Sequence, residues 1–481
     1  MKRKSLSLNA FLNAFRSILN LLFPLITYPY ITGVLSVEEL GQYNFSVSVI
    51  NYFVLIAGLG ISSYAIREGA RIREDREKLT KFANQMLAIN LISCAISYVL
   101  LFIILMMVSK LNDYRYLIWI LSIQIIFTTI GVEWLYAIYE EYQYITIRSI
   151  IFKIISIILL FVFVRREGDV VQYAVVTMFA TTGSSILDAL FAKKYFKFSL
   201  KNIGELGKHI RPIMILFASN VAVMIYVYSD TTMLGLMTND YTVGIYSVSS
   251  KIYSMMKNIL SAVLVVSIPR LSNLYGMGKI KEFKSTIQRI IDMITVLLIP
   301  SIIGIMIQAD NIILFISNNK YLQARSSLII LSIGLIFCMY GWIFNQCILL
   351  PTKHEKIILI ATIISAIENI VLNFIFINLW KENAAAFSTL VAELTMMIIC
   401  GIYAKRIYNY RIFNKNFVGV LIGGIGIVGV CKLIKSFLLP SFAELFISIV
   451  VSGIIYIMIL CVLRNDIIFS FVDKIRSKIG E

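Results

Sequence analysis

VGIYSVSSKIYSMMKNILSA, residues 243–262, has the length of a helix that crosses a bilayer, yet it holds two lysines, Lys251 and Lys257. Ser247, Ser250, Ser254, Lys257 and Ser261 step by 3, 4, 3 and 4, which puts them on one helical face. The same frame occurs earlier in the chain. A shift of 203 residues brings Gly41 onto Gly244 and Tyr43 onto Tyr246, and carries Asn44, Ser48 and Asn51 onto Ser247, Lys251 and Ser254. It also brings Arg67 onto Arg270, and close to the same offset Glu133-Trp134 meets Gly341-Trp342. A duplication at this spacing predicts two like helical bundles, parallel in the membrane, which is the plan of carriers that alternate access.

Composition sets the class. Of 481 residues, 59% are hydrophobic and 15% charged, whereas a soluble chain carries nearer a quarter charged. The apolar excess runs along the whole chain, so the fold expected is an all-α polytopic membrane protein. Hydropathy predicts fourteen spans, near 9–32, 43–65, 82–108, 115–138, 147–165, 170–192, 211–234, 243–267, 290–309, 325–350, 356–379, 383–404, 416–434 and 441–463. The first contains Asn9, Asn13, Arg16 and Asn20 and reads as a retained span, not a cleaved leader. With the N-terminus inside, cytoplasmic segments hold 32 of the 44 Lys and Arg, outside segments 9, and the spans 3. That bias predicts both termini in the cytoplasm. In this count Arg148 falls in a cytoplasmic connector, 148–153.

The expected organisation is an N-lobe of spans 1–6 (1–192), a basic cytoplasmic linker (193–210) and a C-lobe of spans 7–12 (211–405). Spans 13–14 (406–463) are an addition, and the tail 464–481 has the pattern of an interfacial helix. Net charge +17 is explained by the inside bias and by anionic lipid, so nucleic acid is not implied. Six cysteines fall in apolar runs without metal-ligand spacing, and His209 and His354 are the only histidines. No phosphate-binding loop is present. The sequence therefore gives no metal, no cofactor and no enzyme chemistry. Its outside loops are too short to form the external domain that a membrane polymerase needs.

Polar seams mark the functional faces. Span 1 carries Asn9, Asn13, Arg16, Asn20 and Thr27 with a kink at Pro24; span 2 carries Asn44, Ser48 and Asn51; span 8 carries the serine and lysine face. Together they predict a water-filled cleft. At ~1.5 Å per residue, Lys251 lies roughly 12 Å and Lys257 about 21 Å from the outer end of span 8, and Arg16 about 10 Å from the inner end of span 1. A charge at mid-membrane costs ~3 kcal/mol, so cations on a cleft point to an anionic ligand, phosphate above all. The acids at membrane depth are Asp230, Glu133, Asp188, Glu368 and Glu393. Each has either a buried partner or a coupling ion to hold. The glycines of span 13 (Gly419, Gly423, Gly424, Gly426, Gly429) predict close helix packing.

PLITYPYITGVLSVEELGQYNFSVSVINYFVLIAGLGISSYAIREGARIREDREKL (24–79) resembles the Wzx-type polysaccharide repeat-unit flippases, of the polysaccharide transport branch of the multidrug/oligosaccharidyl-lipid/polysaccharide exporter superfamily. GVEWLYAIYEEYQYITIRS (131–149), SDTTMLG (229–235), VGIYSVSSKI (243–252), IPRLS (268–272) and the span of Glu393 share the likeness. The resemblance implies two six-helix lobes with added terminal helices, in the bacterial plasma membrane. It implies a cargo of oligosaccharide on undecaprenyl pyrophosphate, moved from the inner to the outer leaflet, with membrane lipids around it and a polysaccharide polymerase and chain-length machinery downstream. It places the headgroup on Arg16, Lys251 and Lys257, with Arg67 and Arg270 at the inner mouth; Asn20, Asn51 and Ser254 line the same seams. Asp230, Glu133, Glu368 and Glu393 are the candidates for an ion-coupling acid. Two other readings stand beside it: a proton- or sodium-coupled drug antiporter, for which an acid-lined cavity would be expected, and a non-transporting polysaccharide assembly protein.

Overall fold

The computed structural model describes residues 23–197, 199, 204 and 206–469, and the regular structure among them is helical. Twelve helical segments of these residues are long and apolar enough to cross a membrane, so the protein is a multi-pass membrane protein. The chain forms two compact units, 1–244 and 245–481.

The first unit contains α1 (residues 23–34), α2 (Val37–Gly58), α3 (Ile61–Ile72), α4 (Arg76–Met107), α5 (Arg115–Ile130) and α6 (Glu133–Ile138). It continues through α7 (Tyr142–Phe163), α8 (Val170–Thr182), α9 (Ser185–Ala192), α10 (Gly207–Met237) and the first turn of α11 (Asp240–Val265). α2 opens on a capping box: the Ser36 hydroxyl accepts the Glu39 amide at 3.1 Å, and the Ser36 amide donates to Glu39 Oε2 at 2.9 Å. At the repeat-related place, Asn239 accepts the Thr242 amide at 3.0 Å and starts α11.

The repeat has a packing counterpart. A Cβ on Gly41 would collide with the Asp240 carbonyl oxygen, and one on Gly244 with the Val37 carbonyl oxygen. Val37 and Gly41 shifted by 203 are Asp240 and Gly244, so the crossing of α2 with the start of α11 is symmetric in the repeat frame. Two backbones approach there to a distance that only glycine permits.

Several predicted spans are broken helices. Span 2 starts earlier than its hydropathy window and divides where Leu59 and Gly60 take φ of 46° and 75°, a left-handed pair that ends α2 and redirects α3. Span 4 breaks around Gly131, where Ser185 leaves no room for a Cβ. The break lets α6 turn inward, and Trp134, Leu135, Tyr136 and Ile138 join Tyr64, Phe82, Met86 and Tyr195 in one buried cluster.

The second unit holds the rest of α11, then α12 (Ile268–Gly276), α13 (Ile280–Ile307), α14 (Ala309–Ile316) and α15 (Arg325–Trp342). α16 (Glu355–Trp380), α17 (Glu382–Ile407), α18 (Lys415–Ser436) and α19 (Ser441–Val462) follow. α15 runs on as a π-helical turn, Ile343–Leu349. α11 is 26 residues long, but its charged residues and serines keep it out of the twelve. Of the glycines of α18, three pack as closely as their spacing predicts: Gly423 faces Tyr456, Gly424 faces Ile303 and Gly426 faces Ile459, whereas a Cβ on Gly419 would make ordinary contact and one on Gly429 would meet open space.

Candidate functional site

α11 brings one of its two lysines, Lys257, beside an acid of the second unit. Lys257 lies four residues after Tyr253, so both side chains leave the same face and reach Glu393 on α17. The Tyr253 hydroxyl donates to Glu393 Oε1 at 3.0 Å, and Lys257 Nζ donates to the same oxygen at 3.4 Å. The Cys338 thiol of α15 adjoins both charges. The Glu393 side chain is 7% exposed and that of Lys257 32%. The carboxylate is therefore fixed inside the helix packing, while the Lys257 side chain is only partly enclosed. Lys251, nearly two turns earlier, is half-buried, and Ser247 and Ser250 are half-buried with it. Ser254 is exposed.

The other residues expected at the site are placed as follows. Asn51 on α2 is half-buried. Arg67 on α3 is exposed and tied to Glu68 at 3.0 Å, and Arg270 on α12 is exposed. Arg16 and Asn20 lie outside the described residues.

In the first unit, α2 and α10 share a polar cluster. The Thr232 hydroxyl shares its one proton between Ser48 Oγ at 3.0 Å and Tyr52 Oη at 3.3 Å, and Tyr52 meets Tyr228 edge-on. Asp230 is buried beside Tyr52. The polar seam of span 2 thus includes Tyr52, and it faces an acid of α10.

Glu133 meets a residue that sequence reasoning passed over. Arg148 lies inside α7 and is buried, so its reading as part of a connector between helices is corrected. Its guanidinium bonds Glu133 Oε2 at 3.0 Å and forms an ion pair with Asp188 of α9. Arg148 and Asp188 are 5% and 2% exposed at the side chain, Glu133 42%. Charges so enclosed have to be paired, and here one cation serves two acids. The signal that was available is the acid at membrane depth, Asp188, which demands a cation from a neighbouring helix.

α16 and α17 share a third polar group. Asn369 Nδ2 donates to Ser388 Oγ at 3.2 Å, the Ser388 hydroxyl donates to Asn373 Oδ1 at 2.7 Å, and Asn373 Nδ2 donates to Asn369 Oδ1 at 3.2 Å. Glu368, beside it on α16, has a buried Oε2 without a hydrogen-bond partner among the described residues.

Comparison with known proteins agrees with this architecture. Residues 7–275, more than half of the chain, match a family described as "Polysaccharide biosynthesis protein". A provisional O-antigen transporter of Escherichia coli K12 is 22% identical over 270 residues, 54% of this chain and 64% of that protein, so the match spans under two thirds of that relative. A protein of the same provisional name from Shigella dysenteriae is 24% identical over 398 residues, 79% of this chain and 95% of that one. The solved structure of the lipid II flippase MurJ in an inward closed conformation superposes with a TM-score of 0.77 at 18% identity, over 96% of this chain and 99% of that chain. That likeness shows the fold.

Proposed function

The chain belongs to the family of polysaccharide biosynthesis proteins, and from that premise we propose that it carries a lipid-linked oligosaccharide from the cytoplasmic to the outer leaflet of the bacterial plasma membrane. The cargo we assign is a glycan on undecaprenyl pyrophosphate, moved by alternating access. What supports this reading is α11, a 26-residue helix that carries Lys251 and Lys257 well inside its length, where a free cation in lipid would cost ~3 kcal/mol. Its ammonium groups replace the hydration of the pyrophosphate, whose isolated charge in hydrocarbon is very costly. The polyprenyl tail stays in lipid and the sugars stay in water.

Arg16 joins the two lysines as a headgroup ligand, Asn20, Asn51 and Ser254 line the path, and Arg67 and Arg270 gather the anion at its inner mouth. Of the acids, Asp230, Glu368 and Glu393 are the candidates for ion coupling, whereas Glu133 is engaged by Arg148. Fourteen spans with both termini in the cytoplasm, and lobes at 1–192 and 211–405, are the topology we assign; the lysine and arginine bias supports it. A polysaccharide polymerase with its chain-length machinery would consume the product outside.

The test is complementation of a strain lacking the gene. Lys251→Ala should abolish surface polysaccharide while the protein accumulates normally in the membrane. Full polymer from a Lys251→Ala, Lys257→Ala double variant would end the reading.

A further inference from the structure

We propose that the first unit holds one anionic phospholipid of the cytoplasmic leaflet in a groove between α4 and α9, with an acyl chain in the groove and the phosphate on Lys193 and Lys197. The groove is built on elements that carry none of the residues assigned to the cargo. It uses the assigned topology only for the leaflet that it faces.

The groove follows from the break at Gly131. α5 ends at Ile130 and α6 turns inward, and a cavity of about 280 Å³ is left between α4 and α9. Leu87 and Leu91 of α4, Ile130 and Val132 at the break, and Ala189 and Ala192 of α9 form its walls. Leu91 is exposed within an apolar span, so the groove is open on the membrane side. The two alanines keep it from being filled by the protein itself. Both helix faces turn polar toward the same end. On α4, Leu91, Leu87 and Asn84 step by four and three residues and share a face. On α9, Ala189 is followed four residues later by Lys193, which also lines the groove. α4 starts and α9 ends on this side, to which the lysine and arginine bias assigns the cytoplasm.

Side chains of α4 fix the basic segment after α9 across that end. Asn84 is 6% exposed; its Nδ2 donates to the Lys197 carbonyl at 3.1 Å and its Oδ1 accepts the Ser199 amide at 3.0 Å. Arg76 donates to the Lys194 carbonyl at 3.3 Å. Tyr195 and Phe196 turn inward and are buried, which leaves Lys193, Lys194 and Lys197 exposed. Lys194 lies over the rings of Phe191 and Tyr195 at 5.5 and 5.8 Å. Nearby acids are taken by other cations: Glu140 by Arg73, Asp75 by Lys78 and Asp188 by Arg148. Among the described residues neither Lys193 nor Lys197 forms an ion pair. Two such lysines at the cytoplasmic end of an apolar groove between membrane helices are complementary to a lipid with a negative headgroup. A zwitterionic headgroup brings an ammonium of its own, which the lysines repel.

The experiment titrates the full-length protein in neutral detergent with dioleoyl phosphatidylglycerol and counts bound lipid by native mass spectrometry. The wild type should hold one molecule more tightly than any later one, and dioleoyl phosphatidylcholine should show no such first step. Near the surface each lysine contributes about fivefold, so a Lys193→Gln, Lys197→Gln double variant should weaken the first step about 25-fold. A Lys281→Gln, Lys284→Gln variant, which removes two exposed lysines of the second unit, should leave it unchanged. Ala189→Phe fills the groove without altering a charge and should remove the first step. If Ala189→Phe does not fold, Leu91→Trp on the exposed wall gives the same reading. The proposal is overturned by a wild type without a tight first step or by equal binding of phosphatidylcholine. It is overturned equally by an unchanged first step in the Lys193, Lys197 variant or in the filled groove, and by an equal loss in the Lys281, Lys284 variant. Displacement of the first phosphatidylglycerol by equimolar undecaprenyl phosphate would give the groove to the cargo's carrier lipid and overturn the proposal as well.

Discussion

Removing the Arg148 guanidinium should destabilise the first unit more than removing either of its acids. Arg148 and Asp188 have side chains 5% and 2% exposed, so Arg148→Met leaves the Asp188 carboxylate buried without a countercharge. Breaking a buried pair from one side costs about 3–5 kcal/mol. Asp188→Asn is milder, because Arg148 keeps its 3.0 Å bond to Glu133. The loss there is one charged hydrogen bond, ~1.5–3 kcal/mol. Glu133 is 42% exposed and can hydrate, so Glu133→Gln should cost no more than ~1 kcal/mol. The assay is thermal unfolding in detergent followed by tryptophan fluorescence, with surface polysaccharide scored in the same variants. The order expected is Arg148→Met, then Asp188→Asn, then Glu133→Gln, with transport retained in the last. A Glu133→Gln protein of full stability that no longer supports polysaccharide would refute the argument, since Glu133 would then be an ion-coupling acid. A neutral Arg148→Met would refute it as well.

Two further predictions follow from the fold. Gly41→Leu or Gly244→Leu drives a side chain into the Asp240 or Val37 carbonyl and should cost at least ~1–3 kcal/mol, read as a fall in the melting temperature; equal melting temperatures would show that the crossing is looser than described. Asp169, in the turn before α8, accepts the backbone amides of Arg165 at 2.9 Å and Arg166 at 3.1 Å. The Arg165 amide first, and then that of Arg166, holds its carboxyl below the usual carboxylate range. The tie is therefore present above the ordinary carboxylate pKa and is lost as pH falls through the lowered one. Protection factors at the Arg165 and Arg166 amides, the intrinsic exchange rate at each pH divided by the observed rate, should be high near neutrality and fall only at acid pH in the wild type, and should be low throughout in Asp169→Ala.

The repeat was legible because the residues that carry it act locally. A cap, a glycine and a tyrosine recur at one offset, and Ser36 with Gly41, like Asn239 with Gly244, start their helices in the same way. The breaks at Leu59–Gly60 and Gly131 were hidden, since apolar runs continue through them and hydropathy does not register a change of direction. Charge counting misplaced Arg148 for a related reason: an arginine at the edge of an apolar run looks alike whether water or a buried aspartate receives it. Lys257 and Glu393 were each visible as charges at membrane depth. Their pairing was not, because 136 residues separate them and only tertiary packing of α11 on α17 brings them together.

The most direct test of the account is flipping itself. Proteoliposomes carrying the purified protein and a fluorescent, short-chain polyprenyl-pyrophosphate glycan in both leaflets would report leaflet exchange through quenching by a membrane-impermeant reductant. The account predicts that wild-type protein exposes the inner-leaflet probe to the quencher, and that a Lys251→Ala, Lys257→Ala protein of the same helical content does not. Equal exchange by both proteins would contradict the claim that these two lysines carry the headgroup across.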